Sequence, residues 1–188
     1  LQARSIETEF SRWDLLKRAF VINSANIAEL KLQLSPVPFR FKEKEDGPKS
    51  WVEENILPDT FRLEKGSINS FSVSYGTSGH LYTLDGAGVE CTHDDGSSQY
   101  RFDLRGGKLL VPFKLCPEFS LMSGTVQFNH SSGRLNVPSC RLTTDAGGYL
   151  DIKGDWDRMT SSWTANVVIN SIPASSILAD DWKKHVQG

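Results

Sequence analysis

The feature that most constrains this chain is an apolar residue at every second position, recurring in separate runs from about Ile22 to Ile169. Leu30, Leu32 and Leu34 alternate with Lys31 and Gln33; Phe71, Val73 and Tyr75 with Ser72 and Ser74; Tyr100, Phe102 and Leu104 with Arg101 and Asp103. Val126 and Phe128 flank Gln127, Leu135 and Val137 flank Asn136, and Leu150 and Ile152 flank Asp151; Trp163, Ala165, Val167 and Ile169 close the series. Successive side chains of a strand point to opposite faces, so this period describes strands with one apolar and one polar face. Turn-forming groups separate the runs: Asp85-Gly86, Asp94-Asp95-Gly96, Arg105-Gly106-Gly107, Ser131-Ser132-Gly133 and Ala146-Gly147-Gly148. Their short spacing favours antiparallel hairpins over helical crossovers. A mainly β fold with a largely antiparallel sheet is predicted.

Helical signals are few. Ser11 can cap two turns through Arg18, Trp51 to Leu57 can form another short helix before Pro58, and Pro173 to Trp182 a third. Residues 35–50, with three prolines and the charged run Lys42-Glu43-Lys44-Glu45-Asp46, read as a solvated loop holding a strand near Phe39 to Phe41. That loop is too short to divide the chain, so residues 1–188 are expected to be one domain. Gly107-Lys108-Leu109-Leu110-Val111-Pro112 returns 26 residues later as Gly133-Arg134-Leu135-Asn136-Val137-Pro138, which predicts equivalent places in successive hairpins.

Composition narrows the function classes. A net charge of −2 gives no long-range attraction to nucleic acid or anionic membrane. No apolar run reaches the roughly 18 residues of a membrane span, and no signal peptide is present, so any targeting segment is expected upstream of Leu1. Both ends read as cut sites in a longer exported protein. Three cysteines, Cys91, Cys116 and Cys140, without a C-x-x-C pair exclude a zinc ribbon and a disulfide-dense scaffold. One disulfide with a free thiol or three unpaired thiols fit the count, and the second is the reading preferred.

Candidate chemistry is sparse. Cys91-Thr92-His93-Asp94-Asp95-Gly96 collects a thiol, an imidazole and two carboxylates, but so mixed a donor set selects no metal, and a hairpin loop is the simpler reading. No nucleophile elbow or cysteine-protease signature surrounds any Ser or Cys. Arg105-Gly106-Gly107-Lys108 lacks the Ser or Thr and the following helix of a phosphate loop. No catalytic residue, metal or cofactor is assigned, and the chain is read as a non-enzyme.

Several segments together resemble the AsmA-like family of bacterial envelope proteins, which includes TamB-type and YhdP-type relatives. Phe10-Ser11-Arg12-Trp13-Asp14-Leu15-Leu16-Lys17 leading into Ala25-Asn26-Ile27-Ala28-Glu29-Leu30-Lys31-Leu32 is similar to the family's W-x-L-L helix and following strand. Gly133-Arg134-Leu135-Asn136-Val137-Pro138 and Gly148-Tyr149-Leu150-Asp151-Ile152-Lys153-Gly154 are similar to its paired strands, and Ile172-Pro173-Ala174-Ser175-Ser176-Ile177-Leu178 to its proline-led helix. The absent anchor, the cysteines and the charged loop depart from the pattern.

The resemblance implies a curved sheet forming a β-groove, periplasmic and anchored to the inner membrane by a segment outside this chain. It implies phospholipid or another acyl-chain lipid as partner, with other envelope proteins possible partners, in phospholipid transport and outer-membrane biogenesis. The expected lipid-binding residues are Leu30, Leu32, Phe71, Val73, Phe102, Leu109, Val111, Val126, Phe128, Leu135, Val137, Leu150 and Ile152. A competing expectation is a periplasmic or secreted β-sandwich, an adhesion or assembly module in which the same residues are sealed between two sheets.

Overall fold

The computed structural model describes residues 1–10, 19–34, 60–77, 80–94, 96–112, 118–145 and 147–172. They form ten strands: β1 (Gln2–Phe10), β2 (Ala19–Leu34), β3 (Thr60–Thr77), β4 (His80–Asp94), β5 (Gln99–Arg105), β6 (Lys108–Leu110), β7 (Phe119–Asn129), β8 (Arg134–Thr144), β9 (Tyr149–Asp157) and β10 (Ser162–Asn170). All belong to one sheet, in the order β1-β2-β3-β4-β5-β7-β8-β9-β10, with β6 between β4 and β7. The mainly β, largely antiparallel reading holds. The expected helices and the loop at 35–50 lie outside the described residues.

Four expectations are corrected. β2 and β3 run parallel, where antiparallel neighbours are expected. β1, whose alternation is diluted by Arg4, Glu7 and Glu9, pairs antiparallel with β2 although the apolar pattern is legible only from Ile22. Asp85-Gly86 does not end a strand but lies inside β4, and Cys91 to Asp94 belong to that strand too, the turn beginning only at Asp94.

The fourth correction concerns Arg105-Gly106-Gly107, which is a kink and not a hairpin turn. β5 pairs with Gly88–Asp94 of β4, and β6 continues the line against Thr83–Asp85 of the same strand. Gly106 and Gly107 adopt φ of 67° and 91°, and the Gly107 carbonyl accepts the Leu121 N–H at 2.9 Å. A Cβ at Gly107 would stand 2.8 Å from the Asp85 carbonyl oxygen, so only glycine lets the strands approach there. The repeat expectation fails in its topology: Gly107 to Leu110 extends a kinked strand, whereas Gly133 closes the β7–β8 turn through its N–H to the Asn129 carbonyl.

Irregularities beside that kink form a crease across the sheet. Register shifts fall between Ile68 and Val73 of β3, between Leu121 and Ser123 of β7, and between Val137 and Cys140 of β8, where Pro138 cannot donate to the ladder. Bulges bend a strand and raise its local twist, so the regular ladder is broken along this line. Ala87, Leu121 and Leu142 are buried at the crease, with Leu84, Leu104, Leu109, Phe119, Cys140, Leu150 and Ile152 packed against them.

Candidate functional site

Beside the crease lies an open concavity of about 250 Å³. Its lining alternates out of four strands: Leu104 from β5, Leu121, Gly124, Thr125 and Val126 from β7, Val137, Cys140 and Leu142 from β8, and Ile152 from β9; Leu84 and Leu109 close the end beside the glycine kink. Register brings Leu104, Gly124, Cys140 and Ile152 to one face. Leu104 stands opposite Gly124, Gly124 opposite Cys140, and Cys140 opposite Ile152. Gly124 leaves the floor open where any larger side chain would occupy it.

Of the thirteen expected site residues, Leu109, Val126, Val137 and Ile152 line this cavity, and Leu150 packs on the core beneath it. Phe102 pairs with Val126, and Phe128 with Leu135, continuing the same face toward the β4–β5 turn. Leu30 with Phe71, and Leu32 with Val73, form a second wing across β2 and β3. Leu32 also borders a separate polar cleft with Lys31, Gln33, Ser72, Ser74, Thr83 and Asp85. Val111 follows β6 and lies outside the ladder.

The sequence reading missed Leu84, Leu104, Leu121, Gly124, Thr125, Cys140 and Leu142 as lining. Leu104 carried a signal, being the third member of the Tyr100-Phe102-Leu104 alternation, while Leu84 was masked by the apparent turn after it. The described strands make a single sheet, and among the described residues no second sheet covers these side chains.

Charge is held on the other face. Arg141 donates to both Asp151 oxygens at 2.7 Å, and Arg101 to Asp103 at 2.8 and 3.0 Å, with Thr125 donating to Asp103 as well. The Arg141 hydrogen bonds hold the Asp151 carboxyl below its ordinary range, and those of Arg101 do the same for Asp103. Within the cavity lining the only titratable group is the Cys140 thiol, which burial, helped by the Asp151 charge, pushes upward.

The Cys91 thiol is pushed up to about 11 by burial alone. Both cysteines are free and protonated at neutral pH, which denies them the thiolate a nucleophile needs. Cys116 lies outside the described residues. His93 turns its ring onto Tyr100, 4.6 Å between centroids, and toward His130 at 6.2 Å. Asp94 accepts from Ser97 Oγ and the Gly96 N–H in the turn. Among the described residues no cluster of His, Cys, Asp and Glu is placed to hold a metal ion.

The lining of this cavity can shelter apolar matter. Set against protein-family models, curated proteins and solved structures, the chain matches none.

Proposed function

We propose that the creased face is a non-enzymatic lipid-binding groove that holds acyl chains, and that the protein serves phospholipid transport in the bacterial envelope as an AsmA-like, periplasmic and membrane-anchored component. One observation carries the reading: a single sheet folds an apolar cavity open to one side, with all formal charge kept off its lining. Each CH₂ moved from water onto such a surface contributes about 0.8 kcal/mol and requires no directional partner. Acyl chains meet that description better than any ligand with polar groups to satisfy.

Photocrosslinking in cells tests the reading. A photoreactive residue at Leu104, Val126 or Leu142 is expected to give lipid adducts, and one at Arg101 or Asp151 is not. Inward positions that stay unlabelled in a folded protein overturn the proposal.

A further inference from the structure

The two edges of the sheet differ in kind. β1 carries Arg4, Glu7 and Glu9, a positive φ of 49° at Ser5 and a register shift at Glu9 and Phe10, the devices by which an edge strand resists pairing. β10, Ser162-Trp163-Thr164-Ala165-Asn166-Val167-Val168-Ile169-Asn170, has no charge, no proline and no shift in its nine-residue ladder with β9. Every one of its residues is exposed, including Trp163 at 74%, Ile169 at 61% and, on the opposite face, Val168 at 54%. Its outer backbone is paired to no strand among the described residues. A long, regular, uncharged edge with apolar side chains on both faces is a template for another strand.

We infer that β10 pairs antiparallel with β10 of a second copy of this chain, about a two-fold axis at Asn166. That register alone pairs all nine residues. It sets Trp163 against Ile169 and Ala165 against Val167 on the groove face, and Thr164 against Val168 on the other. Aromatic and β-branched residues directly opposite stabilise a ladder, and no like charges meet. The axis stands perpendicular to the sheet, so the apolar face of one copy continues into that of its partner. The blunted β1 edge decides between a closed and an open assembly. Head-to-tail pairing of β10 with β1 would propagate without end, whereas β10 with β10 closes at two copies. A seam one strand wide is small beside the roughly 800 Å² per partner of a standard interface, which places the dimer among weak associations, with a dissociation constant on the order of 10 μM.

Sedimentation of residues 1–188 above that concentration is expected to give about twice their monomer mass of 21.0 kDa. Thr164→Lys with Val168→Lys sets lysines opposite one another across the seam and leaves them solvated in the monomer, so dimerisation is expected to weaken at least about tenfold with unchanged circular dichroism. Asn166→Cys faces itself across the axis, where opposed Cα atoms lie about 4.5–5.5 Å apart, within disulfide reach. In a Cys91→Ser, Cys116→Ser, Cys140→Ser background it should form an oxidised dimer, and Arg4→Cys on β1 should not. A monomer at ten times the stated concentration overturns the inference. So does a dimer indifferent to the lysine pair, or crosslinking between Arg4→Cys and Asn166→Cys, which would mean an open chain.

Discussion

At the scale of single residues, two positions carry consequences that their neighbours do not. Gly107 and Gly106 both have positive φ, but a Cβ at Gly106 meets nothing within 4 Å, while one at Gly107 strikes the backbone of Asp85 and Ala87. Gly107→Ala is therefore expected to cost about 2–4 kcal/mol in urea unfolding and Gly106→Ala only about 1. Equal costs would mean that the kink is not held by close backbone contact. Cys91 gives a second test. The folded state keeps its thiol protonated to about pH 11, against an ordinary value of 9.0. An unfolded chain releases that proton first, so the cysteine's contribution is complete below pH 9 and declines as pH rises from 9 through about 11. Cys91→Ala should lose less stability than the parent between pH 8 and 10.5, measured as the shift in urea midpoint. Parallel losses would show that other groups carry the alkaline transition.

Within an element, alternation separates residues that share a backbone. On β8, Arg141 faces solvent in its pair with Asp151, and Leu142 beside it is 4% exposed at the core. Leu142→Ala is expected to cost about 2–5 kcal/mol through lost burial and the void left behind. Arg141→Ala should cost under about 1 kcal/mol, because exposed ion pairs are screened and entropically expensive. Similar costs at the two sites, read from urea denaturation, would contradict the facing assigned to the strand. This period was legible without coordinates, and it located the interior of most strands. What it could not show were the breaks in period. Gly86 and the Gly106-Gly107 pair look like hairpin turns because glycine serves both turns and bulges, and local sequence does not say whether the chain reverses or bends. The parallel pairing of β2 with β3 was equally hidden, since an alternating strand reads the same in either direction. The cavity inherits that blindness: its corner residues Leu84, Leu121 and Cys140 become neighbours only through the crease.

For the whole molecule, the decisive feature is a single sheet with an apolar concavity on one face that its own side chains do not fill. Gly124 is the residue best placed to test what that space is for. It is buried, and a Cβ there would make ordinary contacts of 3.7 Å with Leu121 Cδ1 and 3.8 Å with both Cys140 Sγ and Leu104 Cβ. Gly124→Ala should thus be tolerated or mildly stabilising, as one more methyl leaves water and a flexible residue leaves the strand. Gly124→Phe would project into the cavity and occupy the volume that an acyl chain needs. A ligand that binds only the folded state stabilises it by RT ln(1 + [L]/Kd), or about 2.7 kcal/mol at one hundred times Kd. Thermal unfolding with a fatty acid below its micelle threshold should therefore raise the Tm of the parent and of Gly124→Ala, with little or no rise for Gly124→Phe. If the phenylalanine variant folds and still gains as much stability as the parent, the ligand binds elsewhere and the groove reading fails. If the variant does not fold, Val126→Trp at the same cavity supplies the comparison under the same criterion. A closed core would behave differently from both expectations: neither parent nor variant would respond to the fatty acid, because no apolar surface would remain for it to cover.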